Sequence, residues 1–334
     1  MSFTVEKPGL ETSVQDWPGR HGYYIQGFPP SGPMDAWSFR LANLLVGNAP
    51  GVAALECQFL GPRLRFVAAA VVALCGADMG PRLEGAALPL WESVAVAAGQ
   101  TLAMGAAKSG ARCYLAVAGG IDVEPVLGSR STFAKAGVGG YAGGPLRKGQ
   151  TVAVGKGPVG TGALGVAGRR VREAARPGIA AAHAGASWEI GVVRGPDDDW
   201  IDAAGQARFL ASDWTVSSRS DRTGQRLEGP DWTFTEKATH KRPEHGSDPS
   251  NILDHGYPIG AVNLAGQTPI ILCVDGPSTG GFINPYTVPS AEFWKLGQAR
   301  PGQTYRFQEI SLEEAQARRR VIDGWCAEGS LDIV

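Results

Sequence analysis

Leu64-Arg65-Phe66-Val67-Ala68-Ala69-Ala70-Val71-Val72-Ala73-Leu74-Cys75-Gly76 decides the fold class. β-branched and small apolar residues run from Leu64 to Leu74 and stop at a glycine, the pattern of a buried strand. The unbroken apolar part, Phe66 to Cys75, is only about half of the ~20 residues that a membrane-spanning helix needs. Further strands are predicted outward from it: Arg112–Ala118, ending at Gly119-Gly120; Thr151–Val154, ending at Gly155; Trp188–Val193; Pro269–Val274; and Tyr305–Ile310, where Tyr305 and Phe307 alternate with polar neighbours. With 47 Gly and 23 Pro in 334 residues, the chain has about twice the usual ~7% of glycine, so turns are frequent.

Helices are few. Asp35 is an N-cap for a helix over 36–46, in which Trp37, Leu41, Leu44 and Leu45 form one stripe and Gly47 stands at the C-terminal cap. A second helix begins at Ser290 and runs through Phe293, Trp294 and Leu296, and a third opens with the capping box Ser311 to Glu314. The expectation is a mainly β protein of tandem β-barrel domains with a few accessory helices. A first domain is expected over 1–155 and a second over 187–320, the latter ending in the third helix. Between them, 156–186 is Gly/Ala-rich and carries the basic Arg169-Arg170-Val171-Arg172, which suits a connector.

The formal net charge of -1, from 31 Lys+Arg against 32 Asp+Glu, implies no general attraction to nucleic acid or an anionic membrane. Cys57, Cys75, Cys113, Cys273 and Cys326 lie far apart among apolar neighbours and read as buried free thiols in a reducing compartment. The first residues have no apolar signal core, so a cytoplasmic location is expected.

Three segments carry chemical potential. The first joins Gln15-Asp16-Trp17-Pro18-Gly19-Arg20 with Pro29-Pro30-Ser31-Gly32-Pro33-Met34-Asp35. Backbone donors before the helix could hold a carboxylate or an oxyanion, or the segment is a plain Pro/Gly turn into a capped helix. In the second, Ser220-Asp221-Arg222-Thr223-Gly224-Gln225-Arg226-Leu227-Glu228, two arginines are close enough to share one anion, and the acidic neighbours could equally neutralise them. The third pairs Ser250-Asn251 with Asp275-Gly276-Pro277-Ser278-Thr279-Gly280-Gly281: a carboxylate at a strand end can reach a bound amide, or form an Asp-Gly turn. The 237–254 stretch reads as a long functional loop. His240, His245 and His255, with Asp248 and Asp254 nearby, match no standard zinc spacing, and no metal is expected. Gly137–Gly144 lacks a phosphate-loop lysine and no Gly-x-Ser-x-Gly occurs, which disfavours nucleotide hydrolysis and serine esterase chemistry.

These motifs, with Leu41-Ala42-Asn43, Gly47-Asn48, Ala54-Leu55-Glu56 and Arg226-Leu227-Glu228-Gly229-Pro230, resemble the allophanate hydrolase subunit 2 family from about Thr4 to Ser311. That family includes biotin-dependent carboxyltransferase subunits, a 5-oxoprolinase subunit and a regulator of a sporulation kinase inhibitor. Pro29–Asp35, Pro249-Ser250-Asn251-Ile252, Tyr257, Ile259–Val262 and Asp275–Ser278 look like its urea carboxylase branch. The resemblance implies cyclophilin-like β-barrels and transfer of a carboxyl group from N-carboxybiotin to urea or a urea-like small amide or guanidine. ATP-dependent 5-oxoproline ring opening and non-enzymatic regulation are the alternatives.

On this reading Asp275 orients or deprotonates the nitrogen, Asn251 and Ser31 make hydrogen bonds, and Arg222 or Arg226 holds a carboxylate. Gln15, Asp16, Arg20, Gly32, Met34, Asp35, Ser220, Asp221, Ser250, Ser278 and Gly280 complete the candidate binding residues. The chain has no Met-Lys dipeptide resembling a biotin-accepting site. Biotin is therefore expected on a partner, alongside a subunit-1-like carboxyltransferase half, a biotin carrier and a biotin carboxylase.

Overall fold

The Leu64–Leu74 run serves two sheets rather than one. In the computed structural model, which describes residues 1–156, 165–184 and 187–333, it divides into the strands Arg63–Phe66 and Ala70–Asp78. The first alternates exposed and buried residues, whereas the second is buried nearly throughout. At 67–69 the chain leaves one sheet and enters the other, and Val67 is exposed there. An apolar run does not reveal such a crossing, because both halves read as strand.

Contacts divide the chain into two units. One comprises Met1–Gly22, Pro30–Ala180 and Val321–Val334; the other comprises Tyr23–Pro29 and Ala181–Arg320. Of the segment expected to be a connector, 157–164 and 185–186 lie outside the described residues. Its described part holds the strand Arg169–Val171 and the helix Ile179–Ala184.

The first unit has a six-stranded sheet containing Ser2–Lys7 and Arg63–Phe66, and a five-stranded sheet centred on Ser109–Val117 and flanked by Ala54–Gln58 and Ala70–Asp78. Phe3, Val5 and Phe66 from the former meet Leu55, Val72, Leu74 and Leu115 from the latter in one core. The helix Ala36–Leu45 packs on Ala70–Asp78 and Ser109–Val117. Asp35 caps it as expected, accepting the Ser38 N–H at 3.0 Å, and Gly47, at φ 73°, ends it by donating to the Leu44 carbonyl.

The second unit closes a seven-stranded barrel in the order Trp188–Arg194, Tyr286–Thr287, Ala261–Ala265, Thr268–Leu272, Gly224–Glu228, Asp213–Val216, Thr304–Glu309. The outer two of these pair in parallel and close the ring. Phe209, from the Asp202-capped helix Ala203–Ala211, stacks on Tyr286 and Phe307 in the core at 4.6 and 4.4 Å. A two-stranded ribbon, Asn251–Gly256 with Thr279–Phe282, accompanies the barrel. The helix expected at Ser290 opens as a 3₁₀ turn and continues as Phe293–Gln298, and Ser311 caps the helix Leu312–Trp325 through the Glu314 N–H. Among the described residues, no helix is long and apolar enough to cross a membrane.

Candidate active site

In the first unit the candidate residues converge on the strap that enters the helix. Gln15 Oε1 accepts the Gly32 N–H at 3.1 Å, and Glu56 Oε2 accepts the Met34 N–H at 2.9 Å. The Tyr114 hydroxyl donates to Glu56 Oε2 and accepts the Asp35 N–H, both at 2.8 Å. Burial, then the Glu56 and Asp35 carboxylates, push the Tyr114 phenol well above its ordinary value, so it works as a neutral donor. The Asp16 carboxylate takes the Ser129 and Ser131 hydroxyls at 2.5 and 2.6 Å and the Arg130 N–H at 2.6 Å. Arg20 donates to the carbonyls of Val126 and Ser131. Gln15, Asp16, Arg20 and Asp35 are thus engaged by the chain itself and hold the strap in place.

Ser31 is the exception in that strap. Its backbone sits at φ 56°, followed by Gly32 at φ 86°, and its buried Oγ has no hydrogen-bond partner among the described residues. A left-handed serine and an unmade buried hydrogen bond each cost stability, and such costs persist where surrounding contacts over-determine them.

In the second unit Arg222 and Asp275 form a buried pair, Nε to Oδ2 at 2.9 Å and Nη2 to Oδ1 at 3.3 Å. The Asp275 N–H also donates to the Arg222 carbonyl, at 2.9 Å, tying the two loops together. Asp221 closes a turn by accepting the Thr223 and Gly224 N–H groups, and the Ser220 hydroxyl bonds both the N–H and the carbonyl of Arg226. The Arg226 side chain is exposed, and no described residue pairs with it. Next to this pair, Tyr24 donates to the Pro277 carbonyl at 3.1 Å and Ser278 O accepts the Tyr257 N–H at 2.8 Å.

The ribbon brings the third segment alongside. Ser250 Oγ bridges Asp248 and the Gly266 N–H, and Asn251 pairs with Phe282 across the ribbon. Gly280 lies against the Tyr257 ring, where a Cβ would come within 2.6 Å of Cε2. The Tyr257 hydroxyl bonds both backbone groups of Phe282, and burial pushes its pKa up to about 12.

Sequence reasoning missed Lys241 and Asp197, and considered His255 only as a metal ligand. The stretch 237–254 is not one loop but holds the end of the helix Glu236–Thr239, a 3₁₀ turn at Pro243–His245 and the start of the strand Asn251–Gly256; Lys241 clamps it by donating to the carbonyls of Asp248 and Asn251, with burial lowering its pKa. His255 points Nε2 at Asp197 Oδ2, 3.5 Å away, and packs edge-on to Tyr257. A lone lysine in a polar loop and an Asp-His pair far apart in sequence leave no local pattern. The other histidines separate: His245 accepts the Leu253 N–H and His240 pairs with Thr239. Among the described residues no three His, Cys, Asp or Glu gather as a metal site.

Residues 26–309 match the family model for the carboxyltransferase domain, subdomain A and B. The chain belongs to that family. The carboxyltransferase domain here is 39% identical over 324 residues to urea amidolyase of Saccharomyces cerevisiae, covering 96% of this chain and 17% of that protein. It is 37% identical over 333 residues to a putative urea carboxylase of Emericella nidulans, covering 98% of this chain and 26% of that one. Against a 5-oxoprolinase subunit of Escherichia coli the identity is 35% over 323 residues, covering 95% and 94% of the two chains. The crystal structure of Kluyveromyces lactis urea carboxylase superposes with a TM-score of 0.89 at 37% identity, over 100% of this chain and 30% of that one. This carboxyltransferase domain therefore spans only about a sixth to a third of the urea-linked relatives.

Proposed function

We propose that the chain is one half of a biotin-dependent carboxyltransferase that carboxylates a nitrogen of urea or a urea-like small amide or guanidine. A subunit-1-like half, a biotin carrier and a biotin carboxylase complete the system, with biotin attached to the carrier. The observation behind this reading is the buried Arg222–Asp275 pair, followed by Ser278 and the ribbon strand Thr279–Phe282, in a chain whose relatives include urea carboxylases.

The second unit's donor set fits a carboxylated cofactor, since the unpaired Arg226 guanidinium suits a carboxylate through two parallel N–H bonds. N-carboxybiotin, when bound, supplies the carboxyl group and takes up the proton that the accepting nitrogen loses. The protein's own part is orientation and charge control, because an amide nitrogen is a poor nucleophile. Arg222 holds the Asp275 carboxylate fixed in plane, and each of its oxygens keeps a lone pair for a substrate N–H. Asn251 adds a hydrogen bond from the ribbon. His255, its Nε2 turned to Asp197, offers Nδ1 as a proton relay. The unsatisfied Ser31 Oγ in the first unit is a separate candidate donor.

A second reading has a specific observation in its favour: the chain matches 94% of the length of the E. coli 5-oxoprolinase subunit, so a role in 5-oxoproline ring opening stands beside urea carboxylation. Reconstituting the chain with its partner subunits and biotin carrier, and measuring ATP consumption with urea, guanidine and 5-oxoproline, separates them. Stimulation by urea or guanidine is expected. Stimulation by 5-oxoproline alone selects the second reading, and none at all selects a regulatory binding role.

A further inference from the structure

The outward face of the barrel holds an amide with an unfilled acceptor. Val262, Leu264 and Ile271 point into the barrel core, so strand alternation turns Asn263 and its cross-strand partner Ile270 outward. Arg226, paired with Ile270 on the next strand, continues the same row. Two strand spacings, roughly 10 Å, separate Asn263 from Arg226, about the reach of a small ligand with a carboxylate at one end. Although it faces outward, Asn263 is only 3% exposed, and its Oδ1 has no hydrogen-bond partner among the described residues.

The ribbon strand Thr279–Phe282 lies beside Ala261–Ala265, the strand that carries Asn263. The Leu264 N–H donates to the Ile283 carbonyl at 3.0 Å and the Ile283 N–H to the Ser250 carbonyl at 2.9 Å, while Tyr257 packs on Ala261, Ile270 and Leu272. Within the ribbon, the pairing of the two strands is irregular between Asn251 and His255. That stretch has the fewest ladder bonds to give up when a ligand enters beneath it.

We infer that Asn263 is a specificity-determining residue whose carboxamide pairs with the O=C–N–H edge of the accepting amide. Oδ1 takes an N–H and Nδ2 gives one to the carbonyl. The inference rests on the carboxyl-transfer reading and narrows its substrate class. Urea and a lactam both present a donor and an acceptor on one edge, and match a carboxamide twice. A guanidinium presents donors only, and opposes its N–H groups to Nδ2. An unmade buried acceptor lowers the stability of the free protein, so an apolar side chain at 263 should be tolerated or better, while amide recognition is lost.

The test uses the full chain with Asn263→Leu, Asn263→Asp and, should leucine not be accommodated, Asn263→Ser. Saturation-transfer NMR with N-methylurea and methylguanidinium reads binding directly, and a thermal melt reads folding. Wild type is expected to bind N-methylurea, and Asn263→Leu to lose that signal with an unchanged or higher melting temperature. Asn263→Asp should shift preference toward methylguanidinium. In the reconstituted complex, kcat/KM for urea should fall by at least roughly tenfold in Asn263→Leu. N-methylurea binding that disappears in Asn263→Leu without any turnover in wild type would retain the amide seat and remove the carboxyl-transfer reading. Equal N-methylurea binding by wild type and Asn263→Leu, or none by wild type, overturns the inference and leaves a niche filled by water.

Discussion

Arg222 presents the edge of its guanidinium to both oxygens of Asp275, from a loop 53 residues earlier in the chain, and both side chains are buried. Removing one partner leaves the other charge buried and unpaired, which typically costs about 3–5 kcal/mol. Arg222→Met is therefore expected to lower unfolding stability by that order and to abolish turnover. Arg222→Met combined with Asp275→Leu should regain most of the stability and none of the activity, as measured by urea unfolding and by ATP consumption in the complex.

Ser31 gives the opposite sign. Ser31→Ala removes an unsatisfied buried hydroxyl without altering the backbone, so stability should rise by about 1 kcal/mol. Carboxyl transfer should fall if the hydroxyl serves the reaction. Unfolding curves and turnover of the same preparation check both halves.

Gly280→Ala places a Cβ 2.6 Å from Cε2 of Tyr257. The ring is fixed by its two bonds to Phe282, so the ribbon must shift. A cost of about 1–3 kcal/mol is expected, with activity falling further than stability. A crystal structure or amide-exchange map of the variant should show displacement limited to the ribbon.

Asp202 sets a pH dependence. Its carboxylate accepts the Thr233 hydroxyl and the Gly205 N–H, which hold its folded-state pKa below the ordinary value. A depressed carboxylate contributes stability above its unfolded pKa of about 3.9 and loses it as pH falls through the folded value. Asp202→Ala should cost about 1 kcal/mol at pH 7. The gap from wild type should shrink below about pH 4, as seen in thermal melts across pH.

All five cysteines are buried, and burial pushes the Cys57 thiol up to about 12 and holds those of Cys75 and Cys113 well above their ordinary value. Native protein at pH 8 is expected to react slowly with a thiol reagent, and unfolded protein to react fully. Rapid native labelling of any one would show that its region opens.

Much of the fold was legible because its signals are local. Asp35 and Gly47 bracket a helix by their capping chemistry, and Ser311 starts another. Alternation in Tyr305–Phe307 marks a barrel strand. The split at 67–69 was not legible, since a change of sheet alters partners and leaves composition untouched. The candidate site divides the same way: turn-rich motifs point to Asp275, Ser31 and Gly280. The pairing of Arg222 with Asp275, the Lys241 clamp and the Asp197–His255 contact depend on distant closures that no spacing records.

Strand Arg169–Val171 pairs with Leu331–Ile333, and Arg172 reaches Asp332 across 160 residues. Trp37 likewise stacks on Trp325, with ring centroids 5.1 Å apart, and Arg40 bonds Asp323 at 2.6 Å. During synthesis, the first unit thus emerges from the ribosome lacking an edge strand and the cover of its helix. It must wait, partly assembled and adhesive, while the whole barrel is translated. The nascent chain should accordingly depend on chaperones most while residues 181–320 are being made, and truncations that spare every candidate site residue but remove 321–333 should aggregate.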